Sequence, residues 1–367
     1  MITIISVVGA RPNFMKVAPI ARAFRKYPDV RHVIVHTGQH YDAAMSDVFF
    51  SDLDIPQPEI FLGVGSGTHA EQTAKVMTAF ERVVEEVRPD AVIVVGDVNS
   101  TLACTIVCAK MHVPVAHVEA GLRSFDRTMP EEINRLVTDS VADWLFVSEP
   151  SGVEHLKREG KDDGNVFFVG NVMIDTLVHT RLLADGSPIM ASLGVAHGSY
   201  VLVTLHRPSN VDTRESLGRC LGLLAKIAAQ TSVVFPMHPR TKKMIDTFGL
   251  APMLPERCIV TEPLGYKDFM TLLEHAACVV TDSGGIQEET TYLGVPCITL
   301  RANTERPVTV TEGSNILLGD KFDEAAAAVD DVLHGRGKKG SIPALWDGHA
   351  AERIAEILTA KLSRLSA

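Results

Sequence analysis

The 367-residue sequence predicts an α/β protein of two doubly wound, Rossmann-like domains with the ligand cleft expected between them. Short Val/Ile-rich runs alternate with longer amphipathic stretches, the pattern of βαβ units whose parallel strands are buried on both faces. That rhythm runs through the first half and restarts near residue 200. At roughly 150 residues per domain, the length also leaves room for two.

Taken in order, strands are expected at 2–8, 32–36, 91–95, 114–118, 144–147 and 166–169, with helical periodicity over 68–87 and 100–111. Pro89 and Gly96 punctuate the strand boundaries. In the second half strands are expected at 200–205, 232–236, 257–261, 278–281 and 296–300. Helices alternate with them near 213–229, 240–247, 266–275, 285–293 and 322–334. The first domain is expected over 1–172 and the second over 173–347, joined near 171–190, where Asp185-Gly186-Ser187-Pro188 has linker composition. A last helix, within 348–367, is expected to pack back on the first domain.

A net charge of −10 disfavours a nucleic-acid or anionic-membrane partner, since such a field repels polyanions. Any anionic ligand must be met locally. The six cysteines lie among apolar residues with no C-x-x-C pair, so they read as buried reduced thiols of a cytoplasmic protein with no metal centre. The segment Met1–Gly9 reads as a first strand rather than a signal peptide, and no apolar run approaches the roughly 20 residues that span a bilayer.

Four constellations carry possible chemistry. Gly9-Ala10-Arg11-Pro12-Asn13-Phe14-Met15-Lys16 follows the first strand and opens a helix, so it is either an anion cradle or a plain strand-to-helix turn with two cations. It matches neither G-x-G-x-x-G nor the Walker pattern. Thr281-Asp282-Ser283-Gly284-Gly285-Ile286-Gln287-Glu288-Glu289 repeats the arrangement in the second half. There glycines let a phosphate approach backbone amides, and a carboxylate one turn on suits ribose hydroxyls or simply the helix dipole.

Asp97 and Glu119 stand at the C-terminal ends of expected parallel strands, where open α/β sheets place ligands, and Glu131 with Glu132 opens a later helix. Pairing of the glutamates with Arg123, Arg127 or Arg135 is the alternative. His206, in Thr204-Leu205-His206-Arg207-Pro208-Ser209-Asn210, is either a protonatable group near a leaving phosphate or a core histidine, and His238 is a weaker case. Arg301 and Arg306 either clamp a phosphate or pair with Glu305 and Glu312.

Together these motifs, with His117-Val118-Glu119-Ala120-Gly121-Leu122-Arg123, Pro130-Glu131-Glu132-x-Asn134-Arg135, Gly170-Asn171 and Glu305-Arg306-Pro307, resemble in order the motif set of the non-hydrolysing UDP-N-acetylglucosamine 2-epimerases. The resemblance covers nearly the whole chain. It implies the glycosyltransferase-B architecture, a homodimer, a place in cell-surface polysaccharide synthesis, and interconversion of UDP-N-acetylglucosamine and UDP-N-acetylmannosamine without a cofactor. It further implies that Asp97, Glu119 and Glu131 are the acid/base and charge-stabilising carboxylates and that His206 assists the diphosphate. By the same resemblance Arg11, Lys16, Arg306 and the Ser283, Gly284 and Gly285 amides hold the phosphates, Glu289 takes the ribose, and Leu264 and Phe269 lie by the uracil.

Three departures stand out. Leu264 replaces the Gln of many bacterial members, so a uracil contact there must come from the backbone. The Gln-His-Arg motif of a second UDP-sugar site reads Gln39-His40-Tyr41 here, leaving Gln39, His40 and His238 as its candidates. Arg207-Pro208-Ser209-Asn210 differs from the commonest form and raises a 2,3-diacetamido sugar nucleotide as the alternative substrate. A glycosyltransferase, a catalytically silent sugar-nucleotide sensor and a hydrolysing epimerase are the further alternatives. Three carboxylates in the first domain speak against the first two.

Overall fold

The computed structural model describes residues 1–38, 57–161, 163–184 and 187–365. Its chain forms two compact units, Met1–His179 with Ala344–Ala367, and Thr180–Pro343. Among the described residues no helix is long and apolar enough to cross a membrane.

In the first unit the strands are β1 (Ile2–Val8), β2 (Val30–His36), β3 (Ile60–Phe61), β4 (Ala91–Val95), β5 (Val115–Ala120), β6 (Trp144–Val147) and β7 (Val166–Phe168). They pair in parallel in the order β3-β2-β1-β4-β5-β6-β7. The helices are α1 (Arg11–Phe24), α2 (His69–Val87), α3 (Asn99–Lys110), α4 (Pro130–Val141), α5 (Pro150–Arg158) and the start of α6 (Val172–Ala184). Every residue of β4 is buried, as a strand covered on both faces requires. Ile5, Val35, Val76, Phe80, Val92, Cys104 and Cys108 share the core beneath α2 and α3.

The second unit repeats the design. Its strands are β8 (Tyr200–Thr204), β9 (Ser232–Pro236), β10 (Cys258–Thr261), β11 (Cys278–Thr281), β12 (Cys297–Thr299) and β13 (Asn315–Leu317), parallel in the order β10-β9-β8-β11-β12-β13. The helices that follow α6 are α7 (Ile189–Leu193), α8 (Pro208–Val211), α9 (Arg214–Ala228), α10 (Pro239–Phe248), α11 (Tyr266–Glu274), α12 (Gly284–Leu293), α13 (Pro307–Thr311) and α14 (Phe322–Leu333). In both sheets the order reverses beside the first strand, between β1 and β4 and between β8 and β11. Such a switch point leaves a crevice at the strand C-terminal ends.

Two sequence expectations change. The stretch 171–190 is not coil: α6 fills 172–184 and α7 begins at Ile189, while Asp185 and Gly186 lie outside the described residues. The division between the two units falls at His179/Thr180, inside the stretch expected to join them. The physical reason is that Ile174 and Leu177 of α6 are wholly buried and Thr176 Oγ1 donates to the Met15 carbonyl at 2.5 Å, which ties the helix start to the first unit. The second change concerns β5, which runs to Ala120 instead of ending at 118 and carries a bulge between Val118 and Ala120.

The last helix, α15 (Ala350–Leu365), belongs to the first unit. Asp175 of α6 caps it, accepting from the Ala350 and Ala351 amides at 3.1 and 2.7 Å. Burial raises the Asp175 carboxyl to about 6, against the pull of those two amides. The chain returns past Trp346, wholly buried, whose indole donates to the Ser148 carbonyl at 2.9 Å. Gly170, at φ +88°, makes room: a Cβ there would lie 2.0 Å from the Leu345 carbonyl oxygen. All six cysteines are free thiols, five of them buried and Cys258 half-buried.

Candidate functional site

In the first unit the switch point gathers residues from β1, β4 and β5. After β1 the Gly9 turn is closed from within, since Asn13 Oδ1 accepts from the Gly9 and Ala10 amides at 3.1 and 2.9 Å. Asn13 Nδ2 in turn donates to the Val95 carbonyl at the end of β4. One turn along α1, Lys16 is buried and its ammonium pairs with the Glu119 carboxylate. The Lys16 ammonium also lies against Gly96: a Cβ on Gly96 would come within 2.8 Å of Nζ, and Gly96 has φ +67°. Gly96 thus leaves the space that the Lys16 ammonium fills.

Glu119 itself has φ +75°, a left-handed conformation that costs a side-chain-bearing residue about 1–2 kcal/mol. It lies at the β5 bulge, and bulges re-aim side chains near active sites. Asp97 follows Gly96, its side chain 27% exposed, and Arg135 of α4 meets its Oδ2 from Nη1 at 2.5 Å. Arg135 also holds Glu132 through Nε and Nη2 at 3.0 and 2.6 Å, and Asn134 Nδ2 donates to the Asp97 carbonyl at 2.8 Å. Glu132 accepts in addition from Ser124 N and Phe125 N, which orders the loop before α4; burial opposes its ionisation, but those amides and Arg135 lower its carboxyl. Glu131 is half-buried in the first turn of α4, beside the positive end of the helix.

Of the alternative pairings of these glutamates with Arg123, Arg127 or Arg135, only that of Glu132 with Arg135 forms among the described residues. Lys16 takes Glu119, while Arg123 pairs with Asp139 and Glu159, and Arg135 with Asp97 and Glu132. Arg11 opens α1, and Gln39 and His40 lie outside the described residues.

In the second unit His206 follows β8 and Asp282 follows β11, so strand order makes them neighbours. His206 Nδ1 is 2.9 Å from Asp282 Oδ1, and the buried carboxylate also accepts from His206 N, Arg207 N and Asn210 Nδ2. Burial alone would raise the Asp282 carboxyl, but the His206 ring and these donors bring it below the usual range. An ionised Asp282 fixes the proton of His206 on Nδ1 and leaves Nε2 for other partners. His238, 5.5 Å away between ring centroids, spends its Nδ1 on the Arg240 amide at the start of α10 and is exposed. Burial and the nearby His206 lower its pKa.

Beside them α12 begins with Gly284 and Gly285, and Ser283 does not cap the helix with its side chain. A Cβ on Gly285 would meet open space and one on Gly284 only Arg301 Nη1 at 3.8 Å, and a helix N-terminus of this kind favours an anion. The two glutamates of α12 divide. Glu288 binds Arg306 Nε at 2.7 Å, whereas Glu289 receives the Tyr266 hydroxyl at 3.0 Å and is raised to about 8 by burial, partly offset by Tyr266 and reinforced by Glu288. Arg301 pairs with Glu305 through two bonds at 2.7 and 3.1 Å, and Glu305 falls to about 2 because Arg301 and Arg306 outweigh its burial. Arg306 thus meets Glu288, not Glu312. Leu264 and Phe269 are half-buried, before and on α11.

Asp282, Tyr266 and Asn134 carry no assigned role from sequence, and Arg135 enters there only as an alternative partner of the glutamates. The one available signal was Asp282 itself, an acid directly after a buried strand, a position costly unless the charge is paired.

A Rossmann-like unit with an open glycine helix terminus beside buried carboxylates belongs to the class of α/β enzymes that handle nucleotide-linked substrates. A family model described as UDP-N-acetylglucosamine 2-epimerase matches residues 22–359, and the chain belongs to that family of isomerases. It is 42% identical over 360 residues to the UDP-N-acetylglucosamine 2-epimerase of Methanocaldococcus jannaschii, covering 96% of this chain and 98% of that one. It is 39% identical over 358 residues to the UDP-2,3-diacetamido-2,3-dideoxy-D-glucuronate 2-epimerase of Pseudomonas aeruginosa, covering 97% and 99%. A crystal structure of the M. jannaschii UDP-GlcNAc 2-epimerase in complex with UDP-GlcNAc and UDP superimposes with a TM-score of 0.89 at 40% identity, covering 98% of this chain and 100% of that one.

Proposed function

We propose that the protein interconverts UDP-N-acetylglucosamine and UDP-N-acetylmannosamine by eliminating UDP and adding it back. The C2 proton of the sugar is not acidic, because no carbonyl adjoins it. Breaking the C1–O bond as that proton leaves gives a 2-acetamidoglucal and UDP. Protonation of C2 on the other face and return of UDP to C1 complete the inversion. The route needs a base, an acid for the opposite face and stabilisation of the departing diphosphate.

The observation that carries the reading is the pairing of charges at the two switch points. Asp97, Glu119 and Glu131 supply acid/base groups, with Arg135 on Asp97 and Lys16 on Glu119 supporting their charge. His206, its Nδ1 directed to Asp282, presents Nε2 to the diphosphate. Arg11, Lys16, Arg306 and the Ser283–Gly285 amides hold the phosphates, Glu289 the ribose, and Leu264 and Phe269 the uracil. Family resemblance supports a homodimeric cytoplasmic enzyme serving cell-surface polysaccharide synthesis.

Proton NMR in heavy water with UDP-N-acetylglucosamine tests the reading. Deuterium at C2 of intact UDP-N-acetylmannosamine is the expected result. Exchange only with the 2,3-diacetamido sugar nucleotide, which the Pseudomonas relative's name supports, moves the substrate to that sugar. Free N-acetylmannosamine as product marks hydrolysis, and no exchange with either sugar overturns the proposal.

A further inference from the structure

Asp97 and Glu119 follow different strands, and a buried group ties those strand ends together. His117, two residues before Glu119 on β5, is wholly buried. Its Nδ1 is 2.6 Å from Asp139 Oδ1 and its Nε2 is 2.8 Å from the Gly96 carbonyl oxygen. A carbonyl oxygen only accepts, so Nε2 must carry a proton. Asp139 Oδ2 meanwhile faces Arg123 Nη1 at 2.7 Å and accepts the Gly121 amide at 3.0 Å, which favours the carboxylate. Burial alone would raise this carboxyl, yet His117 and Arg123 bring it below the usual range. An ionised Asp139 demands a proton on Nδ1 too. A neutral imidazole has one N–H for two acceptors, and only the imidazolium serves both.

We propose that His117 is a positioning residue, held as an imidazolium, that locks the turn carrying Asp97 to the strand end carrying Glu119. Toward β4 it grips the carbonyl of Gly96, the residue before Asp97. Toward β5 its partner Asp139 grips the amide of Gly121, two residues after Glu119. The Gly96 amide donates to the Val118 carbonyl at 3.1 Å and closes the ring. The charged groups around the imidazole balance: His117 and Arg123 are opposed by Asp139 and by Glu159, which binds Arg123 at 2.6 and 2.8 Å, and the Lys16–Glu119 pair lies beyond Gly96. Such a buried set is costly to break singly and suits a fixed geometry better than raw stability. The inference rests on the reading of Asp97 and Glu119 as the acid/base groups.

Two arms test it on the full chain. In the first, nitrogen chemical shifts of 15N-histidine-labelled protein are recorded at pH 8, with His117→Gln identifying the His117 signals among the 14 histidines. Both His117 nitrogens are expected to carry protons, one facing Asp139 and one facing the Gly96 carbonyl. One unprotonated nitrogen overturns the imidazolium. In the second, kcat of His117→Phe is expected to fall roughly 100-fold, the scale of a displaced catalytic group, with KM and the Kd for UDP held within about threefold. His117→Gln, which keeps one donor for Gly96, is expected to recover part of kcat, and rates within twofold of wild type in both variants overturn the positioning role. If His117→Phe does not fold, the Gln variant and the wild-type spectrum decide. Wild type inactive on both sugars overturns the proposed function, while the nitrogen arm still reads His117.

Discussion

His206 Nδ1 lies 2.9 Å from Asp282 Oδ1, and the two residues end adjacent strands on either side of the switch point in the second sheet. The carboxylate therefore both orients the imidazole and ties down the turn after β8. Asp282→Asn keeps the shape but turns one acceptor into a donor facing N–H groups. A kcat loss of about 100-fold or more is expected, as for a mis-set general acid, with UDP affinity little changed. Steady-state kinetics and calorimetry of UDP binding check this, and an unchanged kcat removes Asp282 from the mechanism.

Asp97→Asn and Glu119→Gln are each expected to fold and to lose turnover by about 10²–10⁴-fold. Deuterium exchange at C2 should fall with turnover, because the same groups move the proton. Near-normal rates in both variants would remove them from the acid/base roles.

Glu289 gives stability a pH signature. Its carboxyl rises to about 8 from a reference of 4.5, so its contribution is full below the reference value and is lost as pH climbs to about 8. Glu289→Gln cannot ionise. The Tm of this variant relative to wild type should therefore grow between about pH 5 and 8 and level off above. A Tm difference independent of pH contradicts the raised carboxyl.

Arg306 has two tasks that a paired variant separates. Arg306→Ala strips the buried Glu288 of its guanidinium partner and should cost about 3 kcal/mol as well as UDP affinity. Adding Glu288→Gln should restore much of the denaturation midpoint without restoring UDP binding. Recovery of both would leave Arg306 a structural residue.

Much of this architecture is legible in the sequence because its strands are covered on both faces. Ala91–Val95 and Cys278–Thr281 are apolar runs for that reason, and their ends are sharp. The edge strands β3 and β13 span two and three residues, too short for a period to show. The bulge at Glu119 left no mark either, since its cause is the pairing of β5 with β6.

The sequence by itself determined which chemistry-bearing residues stand at or near strand ends: Lys16 in the helix after β1, Asp97 after β4, Glu119 on β5, His206 after β8, and Asp282 with the glycines after β11. What the tertiary structure alone decided is who pairs with whom. Lys16 faces Glu119, Arg135 reaches Asp97, and burial raises the Glu289 carboxyl to about 8 while its neighbour Glu288 is paired with Arg306. The reason is physical: residue type and local pattern fix short-range structure, whereas charge pairing and burial depend on strand order, which brings together groups far apart along the chain.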